Sequence, residues 1–180
     1  MPVTPQARTD VFTKAKRSAV MSRIRGAGNK DTELRLIALM RAAEILGWRR
    51  GVSIRLKVEG GKVKARTIDR RASSLSVISA SSVVKARPDF VFRRQRLAVF
   101  VDGCFWHGCP KHATWPKNNA AFWRKKISGN QARDRLQNRL LRKNGWKVIR
   151  IWEHSLSPRS ALRTLARIQR AQVAGCAESR

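Results

Sequence analysis

The stretch Arg87–Gly103, which reads RPDFVFRRQRLAVFVDG, decides the fold. Two strand-like runs lie within it, Asp89–Phe92 and Leu97–Val101, and the polar residues between them suit a tight connection. The pattern predicts a β-hairpin whose centre lies near Gln95.

This hairpin would bring acidic residues together. With that centre, Asp89 faces Asp102 to within one residue, and opposed residues of antiparallel strands share a face with Cβ atoms about 5 Å apart. We therefore expect that Asp89 and the Val101–Asp102 end of the second strand could hold one metal ion.

The chain before the hairpin predicts a helix, a strand and an unusual segment. Apolar residues at helical spacing follow a candidate N-cap, Asp31 or Thr32, and Gly47 is placed to end this helix. Trp48–Val58 predicts a strand. Residues 59–87 are either a long basic hairpin or a flexible insertion.

The chain after the hairpin predicts further helices and one strand. Two helices, Asn118–Ile127 and Asn130–Lys143, are expected to be broken at Ser128-Gly129. Trp146–Trp152 predicts a strand, and Ser157-Pro158 opens a last helix. The apolar stripe expected on this last helix consists of Leu162, Leu165 and Ile168.

Composition narrows the function classes. The 180 residues include 40 Lys and Arg against 11 Asp and Glu, which gives a formal net charge of +29. Self-repulsion of this size favours a polyanionic partner, and because the cations run along the whole chain, nucleic acid is preferred over a membrane surface. A hydrophobic content of 42% argues against wholesale disorder. No apolar run reaches the length of about 20 residues that a membrane-spanning helix needs, and no secretory signal is expected.

Cysteine and histidine residues cluster in one short segment, 104–112. Cys104, Cys109 and His112 have the separations of a knuckle-type zinc site, and His154, after a predicted strand, is the best candidate for the fourth tetrahedral ligand. The alternative is a pair of free buried thiols beside two surface imidazoles.

Two features of the same segment remain outside that ligand set. His107 is either a bystander or a general base close to Asp89, since an unperturbed pKa near 6.5 suits proton abstraction at neutral pH. Phe105 and Trp106 are adjacent and could not both face one core from a strand-like stretch. They are either core residues or a wedge that enters a base stack.

Several blocks of the sequence closely resemble the very-short-patch repair endonucleases, which are T:G mismatch endonucleases of bacteria. The resemblance extends from about residue 18 to residue 157. The matching blocks are Met21–Arg25, Glu33, Arg87-Pro88-Asp89, Val99–His107, Phe122-Trp123, Arg133-Asp134-Arg135 and Trp152-Glu153-His154.

The resemblance implies a restriction-endonuclease-like α/β fold, with a central mixed β-sheet flanked by helices and a structural zinc site. It implies a Mg²⁺-dependent enzyme that nicks double-stranded DNA 5′ of the thymine in a T:G mismatch and so initiates very-short-patch repair. The expected setting is a monomer in the cytoplasm, associated with the nucleoid and not with a membrane. The resemblance also implies that the protein works alongside a cytosine methyltransferase and mismatch-repair proteins.

The resemblance also implies residue roles. Asp89 binds the magnesium ion with the backbone carbonyl of Val101, His107 is the catalytic histidine, and Glu33 and Asp134 are supporting acidic residues. The other implied roles are zinc binding by Cys104, Cys109, His112 and His154, an aromatic wedge of Phe105, Trp106 and Trp123, and DNA contacts from Met21, Arg23, Ile24 and Arg25.

The chain departs from the family at three places. Its zinc ligands would be two Cys and two His, with a spacing that shifts by a residue between subgroups of the family. Some members have histidine in place of Asp102, which here is either a second metal carboxylate or a substitute partner for water. Residues 59–87 are longer than is usual in the family. The expected organisation is a flexible basic arm over 1–20, an endonuclease domain over 21–157, and a C-terminal helix and tail over 158–180.

Two other functions compete with mismatch nicking. One is a non-catalytic, zinc-stabilised DNA-binding module, which would need neither Asp89 nor His107. The other is a restriction endonuclease of the same fold that cuts matched duplex.

Overall fold

The computed structural model describes residues 15, 19, 30–58, 82–117 and 119–177. The predicted N-terminal arm (apart from residues 15 and 19), the block Met21–Arg25 and residues 59–81 lie outside this part of the chain. The elements are α1 (Arg35–Ala42, preceded by a π-helical turn, Lys30–Leu34), β1 (Trp48–Arg49), β2 (Ile54–Val58), β3 (Ser82–Ala86), β4 (Phe90–Phe92), β5 (Leu97–Asp102), α2 (Ala120–Lys143), β6 (Lys147–Trp152), a 3-10 turn (Glu153–Leu156) and α3 (Pro158–Ala177).

A four-stranded mixed sheet forms the centre, in the order β1-β4-β5-β6. β4 is antiparallel to both β1 and β5, whereas β6 runs parallel to β5. The predicted hairpin is therefore confirmed as β4–β5, and α2 is the crossover that a parallel neighbour requires. β2 and β3 form a separate antiparallel pair.

Side chains alternate across the central sheet and build a core on each face. On one face, Phe90 and Phe92 pack in a cluster with residues of α1 and α3. On the other, Val91 and Phe100 pack in a cluster with residues of β2, β3 and α2. The predicted α/β architecture, a central mixed sheet flanked by helices, is confirmed. None of the described helices combines the length and apolar character needed to cross a membrane.

The first helix ends earlier than Gly47 indicates. The Ile45 N–H donates to the Met40 carbonyl at 2.8 Å and the Glu44 N–H to the Arg41 carbonyl at 3.1 Å. Glu44 has φ 52°. This is the Schellman pattern, in which a left-handed residue ends the helix. A glutamate, not the glycine, supplies it.

The predicted strand Trp48–Val58 is wrong as a single element. It divides into β1 and β2, which belong to different sheets, and Gly51 with φ 67° lies at the bend between them. Of the two readings for residues 59–87, the antiparallel pairing of β2 with β3, Ile54 opposite Ala86, supports the hairpin at its base.

The predicted break at Ser128-Gly129 is also wrong, because α2 is continuous from Ala120 to Lys143. Buried side chains on both sides of the glycine, Ile127 and Asn130, hold this turn. Gly costs about 1 kcal/mol in a helix, which such packing exceeds. On α3, Leu165 and Ile168 are buried as predicted, whereas Leu162 is 78% exposed.

Candidate active site

The parallel pairing of β5 and β6 brings both strand ends to one edge of the sheet. Asp102, the last residue of β5, pairs with Trp152, the last residue of β6. The turn-rich segment 103–112 follows β5, while Glu153 and His154 follow β6. This edge therefore collects most of the predicted site residues.

Asp89 lies immediately before β4 and reaches across the hairpin. The ladder pairs Phe92 with Leu97, and its continuation sets Asp89 level with Phe100, one residue short of the predicted range. The predicted centre at Gln95 is therefore slightly displaced. The side chain nevertheless extends to the next residue, because the Val101 N–H donates to Asp89 Oδ2 at 2.7 Å.

The environment of Asp89 disfavours its negative charge. Burial raises the pKa of Asp89 to about 6; the Val101 hydrogen bond opposes this rise, and the charges of Glu33 and Asp102 add to it. A carboxylate held among other carboxylates is a place where a divalent cation relieves repulsion.

His107 forms a close pair with Asp134 of α2. His107 Nδ1 lies 2.6 Å from Asp134 Oδ2. Burial raises the pKa of Asp134, but the His107 hydrogen bond and the charges of Arg150 and His107 outweigh it and hold this pKa below its usual range. An ionised Asp134 accepts the Nδ1–H of His107, which leaves Nε2 as the free base nitrogen.

Arg150, on β6, joins the carboxylates of this edge, and the sequence reading did not single it out. Its Nε and Nη2 contact Asp102 Oδ2 and Oδ1 at 2.6 and 2.5 Å, and Nη2 also lies 3.0 Å from Asp134 Oδ1. The guanidinium lies 4.7 Å from the ring centroid of Phe100. The one sequence signal was a charged residue between two apolar ones, Ile149 and Ile151, in a predicted strand.

Asp102 is consequently occupied on both oxygens. It is buried, and His107 Nδ1 is 3.6 Å from its Oδ1. Each oxygen of Asp102 keeps a further lone pair beyond the one that accepts from Arg150. Asp102 also forms a group with His107 and Asp134 whose candidate ligand atoms lie within 4.8 Å of one another, so both expected roles for Asp102 stay predictions.

Glu33 is placed close to Asp89 by the start of the first helix. It is buried, its charge acts on Asp89, and its Oε2 accepts from Arg50 Nη2 at 2.5 Å. The DNA contacts predicted for Met21, Arg23, Ile24 and Arg25 fall outside the described residues.

The four residues predicted to bind zinc converge. Their candidate ligand atoms all lie within 4.8 Å of one another. Cys104 Sγ is 3.2 Å from His154 Nδ1, and Cys109 Sγ is 3.7 Å from His154 Nδ1 and 3.8 Å from His112 Nδ1. Zn–S and Zn–N bonds of about 2.3 and 2.0 Å at a tetrahedral angle require an S···N separation of roughly 3.5 Å. The donor set therefore fits zinc.

Aromatic rings form a cluster around the residues that directly precede His107. Phe105 lies 5.1 Å from Trp106 and 5.2 Å from Trp123 between ring centroids, and Trp106 lies 5.9 Å from Trp123. Phe122, 5.3 Å from Trp123 and 59% exposed, extends the cluster. The segment is a turn rather than a strand, so Phe105 and Trp106 can lie in one cluster.

α2 braces the turn that carries these rings and His107. Asn130 Nδ2 donates to the Trp106 carbonyl at 2.8 Å, and Gln131 Nε2 donates to the His107 carbonyl at 3.2 Å. Gly108 has φ 62°, and a Cβ there would lie 2.5 Å from Gln131 Nε2. The same Cβ would lie 2.8 Å from Ile127 Cγ2, so the positive φ and the close approach of α2 both favour glycine at this position.

The donors near Asp89 also fit magnesium. Mg²⁺ prefers oxygen ligands and is commonly held by one or two carboxylates with waters. In an extended strand the N–H and C=O of one residue point to the same side, so the carbonyl of Val101 faces Asp89 as its N–H does. Asp89 and Val101 would hold the ion.

A mixed sheet with a carboxylate–histidine cluster at its strand ends, on a strongly basic chain, is typical of a DNA nuclease. Residues 78–113 match the family described as "DNA mismatch endonuclease Vsr". The type II nicking enzyme V.NmeAIP of Neisseria meningitidis is 33% identical over 157 residues, which cover 86% of this chain and 89% of that enzyme.

Further relatives match over shorter stretches. DNA mismatch endonuclease Vsr of Escherichia coli is 36% identical over 96 residues, or 51% of this chain and 60% of that enzyme. The type II nicking enzyme V.NaeI of Lentzea aerocolonigenes is 49% identical over 71 residues, or 39% and 43%. The chain thus spans about half the length of several curated relatives that it matches. It belongs to the Vsr family of DNA endonucleases, as its sequence predicted.

Proposed function

We propose that this protein is a Mg²⁺-dependent DNA endonuclease of restriction-endonuclease-like fold that nicks one strand 5′ of the thymine in a T:G mismatch. The observation that carries the proposal is the pair His107–Asp134 at 2.6 Å. His107 Nδ1 also lies 3.6 Å from Asp102 Oδ1, and the charge of Asp102 acts on Asp89. The proposed base, His107, and the proposed metal ligand, Asp89, thus lie at the same edge of the sheet.

His107 acts as general base in this proposal. Asp134 holds the Nδ1–H, so that Nε2 accepts a proton from the attacking water. The water oxygen then bonds to phosphorus as the bond from phosphorus to the leaving oxygen breaks. General base help of this kind contributes about 10²–10⁴-fold to the rate.

Asp89 and the Val101 carbonyl would hold the magnesium ion, and Glu33 would support them through its charge. When bound, the ion polarises the scissile phosphate and stabilises the leaving oxygen. Burial raises the pKa of Asp89 to about 6, and the charges of Glu33 and Asp102 add to this rise, so a cation held at Asp89 would favour its ionised form.

The aromatic cluster is proposed to select the mismatch. Phe105, Trp106 and Trp123 would enter the base stack beside the T:G pair, which costs less to unstack than a matched pair. Met21, Arg23, Ile24 and Arg25 are proposed DNA contacts. The remaining cations supply a sequence-independent grip on phosphates, so affinity should fall with salt by a log–log slope of about −0.9 per phosphate neutralised.

Zinc at Cys104, Cys109, His112 and His154 is proposed to be structural. It would pin the turn 104–112, which carries both His107 and the wedge, to the end of β6. A nick at a T:G site would initiate very-short-patch repair in the cytoplasm, at the nucleoid, with mismatch-repair proteins and a cytosine methyltransferase in the same pathway.

The test is a strand-nicking assay on two otherwise identical duplexes, one with T:G and one with T:A, each with and without Mg²⁺. The proposal expects nicking of the T:G duplex alone, and only with Mg²⁺. Equal cleavage of both duplexes would favour a nuclease for matched DNA, whereas binding without cleavage would favour a DNA-binding module.

A further inference from the structure

We propose that Arg150 is a positioning residue that holds His107 in its base-ready form through Asp102 and Asp134. The inference rests on the proposed function of His107. The observation behind it is that the Arg150 guanidinium contacts both carboxylates. Its Nη2 lies 2.5 Å from Asp102 Oδ1 and 3.0 Å from Asp134 Oδ1.

The contacts form a chain that ends on the base. Nε and Nη2 grip both oxygens of Asp102, which anchors the guanidinium at the end of β5. The same Nη2 contacts Oδ1 of Asp134. The other oxygen of that carboxylate, Oδ2, lies 2.6 Å from His107 Nδ1. Each carboxylate oxygen of Asp134 thus has one partner, and its rotation is fixed.

The guanidinium itself is held from other directions. It stacks on the Phe100 ring at 4.7 Å, and Nη1 lies 3.4 Å from Asn138 Oδ1. Phe100 and Arg150 are paired in the parallel ladder of β5 and β6. Arginine suits this place because its planar fork can hold one carboxylate with two nitrogens and stack at the same time, which lysine cannot do.

Loss of Arg150 would remove the guanidinium that bridges Asp102 and Asp134. His107 Nδ1 lies between the two carboxylates, 3.6 Å from one and 2.6 Å from the other. Loss of the guanidinium would leave the imidazole free to change partner, and Nε2 would lose its fixed direction. A misplaced base lowers the rate of the chemical step more than the affinity for DNA.

The first experiment compares Arg150→Met with Arg163→Met, which removes one cation from the exposed surface of α3. Single-turnover nicking of the T:G duplex should fall about 100-fold in Arg150→Met. The DNA concentration for half-maximal rate should agree between the two variants within about twofold. A nicking rate within about threefold of the Arg163→Met rate would overturn the proposal.

The second experiment asks whether Arg150 acts through His107. In a His107→Ala background, the added Arg150→Met change should lower the rate by less than about threefold, since the group it positions is already absent. A further loss as large as the one in the native background would overturn the proposal.

A spectroscopic measurement separates this inference from the proposed function. In ¹⁵N-histidine spectra of the protein as purified, without DNA or added Mg²⁺, His107 (identified by its loss in His107→Ala) should show one tautomer with the proton on Nδ1, and Arg150→Met should show a mixture. If His107→Ala nicks normally, the proposed base is wrong, and this signal alone decides the positioning role: an unchanged tautomer in Arg150→Met overturns it.

Two more variants serve as controls for an effect of Arg150→Met on stability. Asp102→Asn with Arg150→Met removes the unpaired buried charge, so it should keep the melting temperature yet nick slowly. Arg150→Lys should keep the charge and the melting temperature but stay at least about tenfold slow. Rates that simply follow the melting temperature across all variants would assign Arg150 a structural role and overturn the proposal.

Discussion

Asp89 Oδ2 accepts the backbone N–H of Val101 at 2.7 Å across the β4–β5 hairpin, and this contact holds a carboxylate where its charge is costly. Burial raises the pKa of Asp89 from 3.8 to about 6, with smaller contributions from Glu33 and Asp102. A raised pKa in the folded state means that ionisation works against folding. The penalty is absent below pH 4, grows between pH 4 and 6, and is complete above pH 6.

Asp89→Asn should therefore stabilise the protein at pH 7.5 in the absence of Mg²⁺ while abolishing nicking. A shift of this size corresponds to about 2–3 kcal/mol in the free energy of unfolding. The gain should shrink to a small part of this near pH 4, as urea denaturation at the two pH values would measure. Asp134→Asn is the matched control, because the lowered pKa of Asp134 predicts a loss of stability at pH 7.5 that diminishes as the pH falls.

His107→Ala should leave binding of T:G DNA and Mg²⁺ nearly unchanged and slow nicking by about 10²–10⁴-fold, because it removes the proposed base. Single-turnover kinetics measure the rate, and zinc content with melting temperature serve as controls. Normal nicking by a variant with native zinc and stability would remove His107 from the mechanism. Release of zinc together with loss of activity would mark it as a structural residue.

Cys109→Ala should lose about one equivalent of zinc and much of its stability, because binding at a structural site is part of the folding free energy. Cys109 is buried among its proposed partners. Elemental analysis and thermal melting test this, with Cys176→Ala as the control that removes the remaining cysteine of the chain. Native protein that is well folded and contains no zinc would contradict the prediction.

Trp106→Ala should reduce the preference for T:G over T:A duplex more than it reduces general affinity. Phosphate contacts set non-specific binding, whereas an inserted ring acts only at the disturbed base step. Competition binding with both duplexes measures the ratio. Trp115→Ala is the matched control, since Trp115 is 54% exposed and makes none of the cluster's ring contacts. Equal losses on both duplexes would count against the wedge.

The hairpin and a metal-binding segment around Cys104 and Cys109 could be predicted because their signals are local. Strand composition around a short polar connection fixes β4 and β5, and the spacing of Cys104 and Cys109 indicates a metal knuckle whatever the surrounding topology. The ends and the continuity of the helices were harder to predict from the sequence. Glu44 ends α1 through its backbone conformation, and Gly129 is tolerated inside α2 because Ile127 and Asn130 are buried beside it.

Arg150 could not have been assigned from the sequence, because its role depends on strand order. It lies 48 residues from Asp102 and becomes its partner only when β6 pairs parallel to β5. Read alone, an arginine within a strand indicates a solvent-facing side chain. The same topology explains why the role of Asp102 stayed open: its neighbours come from β6 and α2, which the local pattern around residue 102 does not specify.

Two glycines of the site region should respond oppositely to the same substitution. Gly108 has φ 62°, and an added Cβ would lie 2.5 Å from Gln131 Nε2 and 2.8 Å from Ile127 Cγ2. Gly108→Ala should therefore lower the melting temperature and push the turn 104–108 away from α2, which weakens zinc retention and nicking together.

Gly129, within α2, has open space where its Cβ would be. Gly129→Ala should raise the free energy of unfolding by about 0.5–1 kcal/mol, because alanine has the higher helix propensity, and should leave zinc content unchanged. Thermal melting and zinc analysis of both variants make the comparison. A Gly108→Ala protein as stable as Gly129→Ala, with full zinc content, would show that the close approach of α2 does not hold the turn that carries His107.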